Sequence, residues 1–257
     1  VVHPQVNLPY DRRVEHEAFI RRHRLNLELL LSGKDLDEVS PEEVAAFLDG
    51  LGYGPTVTIH APFMDLSPGA VDPRVREVTM LRYAQVFALA ERIHPRAVVM
   101  HSGYERWKYG HDVDLWLRGS MRTWPEVIER ARRAGTRVAI ENIFEDEPSS
   151  LARLLGELGC EDVLGVCFDT GHFNLFSRLP LARWLDALGP RIIELHLHDN
   201  RGDTDQHLVP GEGTFDFPEL FRALRGKEVI HTLEVHTAED VLLGIERLNA
   251  LLQSVST

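Results

Sequence analysis

The chain reads as a single (β/α)8 barrel, on three observations. Short β-branched apolar runs alternate with longer stretches of three- and four-residue apolar spacing, as in repeated βαβ units. Eight such short runs can be counted. No Gly-rich phosphate fingerprint follows the first of them, which disfavours a doubly wound open sheet. A barrel of this kind commonly takes about 250 residues as one domain. The expectation is therefore one domain over residues 1–257, with 44% hydrophobic residues to fill its core.

The eight expected strands are Val2–Leu8, Leu25–Leu30, Val57–His60, Ala97–His101, Arg137–Asn142, Leu164–Asp169, Arg191–His196 and Ile230–Val235. Helical spacing is clearest over Arg74–Arg92 and recurs over Pro125–Ala134, Pro180–Leu188 and Ala238–Leu252. Two helix starts are marked in the sequence. Ser40-Pro41-Glu42-Glu43 combines a cap, a first-turn proline and carboxylates, and Thr123 precedes Trp124-Pro125-Glu126.

Composition narrows the function classes. Twenty-eight Lys and Arg against 40 Asp and Glu give a formal charge of −12. Nucleic acids and anionic membranes select basic surfaces, so neither is an expected partner. The only cysteines are Cys160 and Cys167, too few for a disulfide scaffold, and a reduced cytoplasmic setting is expected. No signal peptide is evident, and no apolar run is long enough to cross a bilayer.

The polar residues fall in a pattern. Thr56–Ile59 runs into His60, and Ala97–Met100 into His101. Arg137–Ile140 ends in Glu141 and Asn142, and Gly165–Phe168 in Asp169, with His172 one turn later. Ile192–Leu195 ends in His196, and His231–Leu233 in Glu234. In a parallel barrel all strand C-termini share one rim, where active sites of this fold sit. A lone His at a strand end is usually a hydrogen-bonded core or surface residue, and a lone carboxylate a helix cap. Six strands ending this way are a different matter. Buried unpaired carboxylates gathered on one rim repel, and protonation or bound cations are the economical remedies. Mixed imidazole and carboxylate donors suit zinc, manganese, iron or cobalt better than calcium.

A second cluster follows the seventh strand. Asp205 and His207 are two apart, so in extended backbone they project to one side, and Pro210-Gly211-Glu212-Gly213-Thr214 permits a tight turn near the rim.

Together these motifs resemble the xylose isomerase-like superfamily of TIM barrels, which includes endonuclease IV, sugar-phosphate isomerases and sugar epimerases. The resemblance rests on His60-Ala61-Pro62, Val99-Met100-His101-Ser102-Gly103, Ile140-Glu141-Asn142, Phe168-Asp169-Thr170-Gly171-His172, His196-Leu197-His198-Asp199, Asp205-Gln206-His207 with Gly211-Glu212-Gly213, and Leu233-Glu234. It implies divalent metal ions, zinc or manganese, numbering one to three per chain. On the endonuclease IV plan, His60, His101 and Glu141 hold one ion. Glu141 bridges to a second, completed by Asp169, His196 and Glu234, and His172, Asp205 and His207 hold a third. On the isomerase and epimerase plan one ion binds Glu141, Asp169, His196 and Glu234, while Glu141 and Glu234 exchange substrate protons.

The resemblance thus implies an isomerase or epimerase acting on a small sugar or sugar-phosphate-like molecule. The alternative is a metal-dependent phosphoester hydrolase of the endonuclease IV type. Phe63-Met64 resembles the pair with which endonuclease IV probes DNA, and equally suits a sugar-stacking wall. Further expectations concern neighbours of the site. His198 and His236 lie two positions past His196 and Glu234 and can reach it. Glu28 ends the second strand and either meets substrate or forms an ion pair. Tyr104–Tyr109 reads as an exposed loop, while His3, His16, His23, His94, His111 and His231 lack a converging context. By strand parity Glu194 points into the barrel beneath His196, where hydrogen bonding or pairing with Arg137 is expected.

Overall fold

A computed structural model describes residues 2–255. Eight parallel strands close a barrel in chain order: β1 (Gln5–Pro9), β2 (Asn26–Leu30), β3 (Val57–His60), β4 (Ala97–His101), β5 (Arg137–Glu141), β6 (Leu164–Asp169), β7 (Ile192–Leu197) and β8 (Ile230–Leu233). Every expected strand is found. β1 differs most, starting at Gln5 where alternation had suggested Val2.

Among the described residues, eleven helices surround the barrel. They are α1 (Arg13–His23), α2 (Gly33–Glu38), α3 (Pro41–Gly50), α4 (Pro73–Ile93), α5 (Val113–Ser120), α6 (Trp124–Ala134), α7 (Ser149–Leu158), α8 (Thr170–Phe176), α9 (Leu181–Leu188), α10 (Phe217–Ala223) and α11 (Ala238–Ser254). None among the described residues is long and apolar enough to cross a membrane.

The helix starts have local causes. At α3 the Ser40 hydroxyl accepts from the Glu43 N–H at 3.3 Å, and Glu43 accepts from the Ser40 N–H at 2.8 Å, a reciprocal cap. Thr123 makes no such bond, because the chain enters α6 already helical there, with φ −107° and ψ −53°. Its hydroxyl is buried without a partner. Apolar residues three and four apart then bind the helices to the barrel, as with Leu151, Leu154 and Leu155 of α7. Burying each such side chain contributes about 1.5–3 kcal/mol.

The barrel interior is divided. Val99, Ala139, Cys167 and Ile193 form an apolar cluster under β4–β7. Opposite them lies a polar layer of Gln5, Glu28, Thr58, Glu194 and Thr232, all buried. A register shift between β6 and β7, at Val166 and Cys167, lets Ile193 and Glu194 both face inward. The parity expectation for Glu194 is therefore met, but its partner is not Arg137. Arg137 sits at the start of β5 and donates to the Glu161 carbonyl. Glu194 Oε1 instead accepts from Thr232 and Thr58 at 2.9 and 3.3 Å. Burial and the nearby Glu28 charge push its carboxyl up to about 8. Protonation at neutral pH takes the place of an ion pair.

The rim is uneven. Long connections follow β3 (61–72), β4 (102–112) and β7 (198–216), whereas β1 passes directly into a 3-10 turn at Tyr10–Arg12 and only residues 234–237 separate β8 from α11. One side of the site is walled and the β8–β1–β2 side is low.

His231 on β8 packs toward Phe221, and burial lowers it from 6.5 to about 4. Between those values the unfolded chain takes up a proton that the folded chain refuses, so stability is complete above pH 6.5 and falls toward pH 4. His231→Gln should flatten that acid slope, by at most about 1.4 kcal/mol per pH unit, in urea titrations across the window. An unchanged slope would show that His231 titrates normally in the fold.

Candidate metal centre

The strand ends converge as the spacing implied. Glu141 at the end of β5 stands at the middle. Its Oε2 lies 3.0 Å from His60 Nε2 and 3.1 Å from His101 Nε2. Its Oε1 lies 3.1 Å from His172 Nδ1 and 3.4 Å from His196 Nδ1. His196 Nδ1 is also 3.2 Å from Glu234 Oε1 and 3.7 Å from Asp169 Oδ2. Farther out, Asp205 Oδ2 lies 3.7 Å from His172 Nε2 and 3.3 Å from His207 Nε2. All nine residues form one connected cluster. Seven of them line a cavity of about 560 Å³, while Asp169 and His196 lie buried beneath its floor.

The imidazoles are held so that one nitrogen faces the carboxylates. His60 Nδ1 meets the Ala61 carbonyl at 3.0 Å, His172 Nδ1 the Asn142 carbonyl at 3.1 Å, and His207 Nδ1 the Glu234 carbonyl at 2.9 Å. A carbonyl only accepts, so these nitrogens carry the proton and the opposite Nε2 can present a lone pair. His196 is anchored differently, its Nε2 lying 3.2 Å from Glu28 Oε2. That leaves His196 Nδ1 toward the three site carboxylates, buried and without a hydrogen-bond partner, as is His101 Nε2. Orphaned nitrogens aimed at carboxylate oxygens are what a divalent ion would satisfy, and outer hydrogen bonds of this kind orient metal ligands. The donor set fits a transition-metal ion.

Protons on the imidazoles balance the carboxylate charges. Burial disfavours a charged His60, but its hydrogen bond to Glu141 and that carboxylate's charge outweigh this and push it up to about 9. His207, against Asp205 and Glu234, likewise rises to about 9 in spite of burial. Burial also works against ionised Glu141, yet the charges of His101 and His196 hold its carboxyl well below the usual range.

Local structure fixes the ligands. Asp169 ends β6 and caps α8 at once, its Oδ1 accepting from the His172 N–H at 2.6 Å. Asn142 clamps the Asp169 backbone, accepting from its N–H at 2.9 Å and donating to its carbonyl at 3.1 Å. Gly171 is needed for packing, since a Cβ there would lie 2.1 Å from the His198 ring.

The 198–216 loop is stapled by buried Asp199. Its carboxylate accepts from the backbone N–H groups of Asn200, Gly211, Gly213 and Phe215. A Cβ on Gly213 would come within 2.3 Å of Asp199 Oδ1, which explains the second glycine of Gly211-Glu212-Gly213.

Several expectations change. His207 has φ 49°, so Asp205 and His207 meet through a left-handed turn and not through extended backbone. Glu28 lies in the middle of β2, fully buried, where it holds His196 and lies below the reach of substrate. His198 is buried with its Nε2 3.1 Å from Asp169 Oδ2, and its ring stacks on His207 at 3.9 Å and 6°. Its Nδ1 is buried without a hydrogen-bond partner 3.8 Å from Asp205 Oδ1, so His198 orients Asp169 through one nitrogen and stands with Asp205 and His207 as a donor through the other. His236 is exposed at the cavity edge.

In the Tyr104–Tyr109 loop Trp107 is exposed, but Tyr104 and Tyr109 are buried, stacked on each other with Tyr104 against Trp116. Phe63 stacks on His101 at 4.4 Å and 6°, and Met64 is exposed. Asn7 is the residue the strand-end reading missed. Its Nδ2 donates to Glu28 Oε1 at 2.9 Å and Glu234 Oε1 at 3.1 Å. The alternation Val6-Asn7-Leu8 was the available signal.

Fold and site together define a (β/α)8 barrel whose buried His, Glu and Asp cluster at the C-terminal rim is suited to divalent metal. The chain belongs to the xylose isomerase-like TIM barrel family, whose sequence model matches residues 18–251. An uncharacterised protein of Methanocaldococcus jannaschii is 29% identical over 213 residues, covering 79% of this chain and 72% of that protein. A solved D-tagatose 3-epimerase-like protein superposes with a TM-score of 0.85 at 26% identity, over 99% of this chain and 98% of the other. A Thermus thermophilus protein soaked with ZnCl2 gives 0.80 at 26% identity, over 98% and 99%.

Gly213→Ala should loosen the Asp199 staple and with it Asp205 and His207. Any zinc that depends on this pair should then be lost first in a titration, while the Glu141-centred binding persists. Equal loss at all sites would show that the loop does not act separately from the rim.

Proposed function

We infer that this chain is a divalent-metal-dependent sugar isomerase or epimerase, with Glu141 and Glu234 exchanging the substrate proton. The observation that carries the reading is the placement of these two carboxylates. They come from β5 and β8 and flank His196 Nδ1 at 3.4 and 3.2 Å, beside Asp169, at the floor of the cavity. The D-tagatose 3-epimerase-like neighbour supports the same chemistry.

Glu141, Asp169, His196 and Glu234 would hold the ion, which when bound supplies polarisation of a substrate carbonyl and its adjacent hydroxyl. The protein's own groups do the rest. Moving a proton between two faces of a carbon needs a base on one side and an acid on the other. Asn7 fixes Oε1 of Glu234, leaving Oε2 toward the cavity. Glu141, its carboxyl held well below the usual range, stays ionised and ready to accept a proton. Phe63, laid flat on His101, and the Phe144–Phe176 pair offer faces on which a sugar's C–H surface can rest.

The second reading, phosphoester hydrolysis, draws on the outer trio of His172, Asp205 and His207, which an isomerase plan does not use. Metal count separates the two: one ion per chain favours the isomerase, two or three the hydrolase.

In D2O, the metal-loaded protein should move deuterium into the carbon beside the carbonyl of a ketose, read by NMR. Glu234→Gln and Glu141→Gln should each slow that exchange by about 10²–10⁴-fold. Rapid incision of abasic DNA at physiological salt, with no exchange in any of a panel of ketoses and aldoses, would replace this reading with the hydrolytic one.

A further inference from the structure

The site cavity is longer than its chemistry requires, and its two halves differ. Inside the rim it is bounded by the metal-binding residues with Leu30 and Phe63. It then continues over the low edge of the barrel, between Pro9 and Thr237, into a crevice outside the sheet. There its walls are the outward faces of β1 and β2 (Val6, Leu8, Leu27), Phe19 and Ile20 of α1, and Val241 of α11. The short connections after β1 and β8 leave this passage without a covering loop.

The crevice wall is mostly aliphatic and aromatic, with Arg12, His16, His236 and Thr237 as its polar members. Away from the metal-binding residues, Arg12 is the one Lys or Arg among the described lining residues. Its guanidinium is already bound to Glu15 at 2.9 and 3.2 Å. A phosphate lying in this arm would meet no free Lys or Arg, and a polyol would exchange water for a mostly apolar wall at a cost. An apolar group is the chemistry the wall accepts. Helix α1 also has room to yield, since Ile20 is its one fully buried residue.

We propose that the substrate of this centre is an uncharged sugar bearing an apolar substituent, with the sugar at the Glu141–Glu234 floor and the substituent between α1 and α11. This rests on the epimerase reading above and specifies its substrate class. The crevice and the metal floor belong to one continuous space of about 560 Å³, a size usual for a ligand larger than a bare six-carbon sugar. One molecule with a polar head and an apolar tail uses both ends.

The test compares D-fructose and D-tagatose with their O1- and O6-benzyl ethers, using zinc- or manganese-loaded protein and measuring Kd by calorimetry beside deuterium exchange by NMR. At least one ether should bind about tenfold or more tighter than its parent sugar, the lower end of what burying a Phe-sized group yields. Ala238→Phe, at the partly exposed start of α11, and His16→Phe, on α1, each narrow the crevice. Either variant should bring the ether-to-parent ratio back toward one. Deuterium exchange in parent sugars with no tighter binding of either ether would overturn the proposal and leave the epimerase reading in place. A preference unchanged in both filling variants would overturn the assigned crevice. Absence of exchange in every sugar and ether would remove the epimerase reading, and this proposal with it.

Discussion

Five carboxylates, Glu28, Glu141, Asp169, Glu194 and Glu234, are buried inside or atop one narrow barrel, and the rest of the site is an answer to that charge. Ionised carboxylates out of water are tolerated only with opposite charge, hydrogen bonds or a proton. They are accommodated in four ways. Glu194 keeps its proton and takes hydrogen bonds from threonines. Glu28 is paired with His196 and Asn7. Glu141 and Asp169 are ringed by imidazoles, and Glu234 is tethered by Asn7 while facing the cavity. The imidazoles that compensate the carboxylate charge are the same groups that can give up their protons to a divalent ion, which is why the cluster is fit to bind metal.

The fold supports this arrangement through short, stiff connections. Asp169 is both strand end and helix cap, so its side chain has little freedom. The Asn142 clamp couples β5 to β6, and Asn7 couples β1 to β2 and β8. Where the chain must leave the rim and return, in the 198–216 loop, one buried carboxylate gathers four backbone N–H groups in place of regular structure. The asymmetry of the rim follows from the same economy of loops. Long connections after β3, β4 and β7 wall the metal side, and the abrupt turns at β1 and β8 leave the opposite side open toward α1 and α11.

Much of this was legible in the sequence because it rests on short-range pattern. Strand alternation locates the barrel, and residues that end apolar runs locate the rim. Glu194 was placed correctly by parity alone, even though its strand carries a register shift. What was not legible depends on tertiary context. Parity could put Glu194 inside but could not say that protonation would replace Arg137 as its remedy. Asp205 and His207 met as expected, though through a left-handed turn that spacing does not encode. Tyr104 and Tyr109 looked like solvated loop residues, because nothing local announced that Tyr104 would pack on Trp116 and Tyr109 would stack on Tyr104. Asn7 sits one layer below the rim, where a search for strand ends does not look, and Glu28, read as a strand end, lies mid-strand in the ion pair with His196 that was one of its two expected roles.

The central claim is that the carboxylate–imidazole cluster is a metal centre organised around Glu141, and diffraction from crystals soaked in zinc, collected at the zinc absorption edge, tests it most directly. The account predicts the strongest anomalous peak in the space bounded by Glu141, Asp169, His196 and Glu234, with any further peaks against His60 and His101 or against His172, Asp205 and His207. No peak touching Glu141, with zinc found only at surface histidines such as His3 or His23, would contradict it.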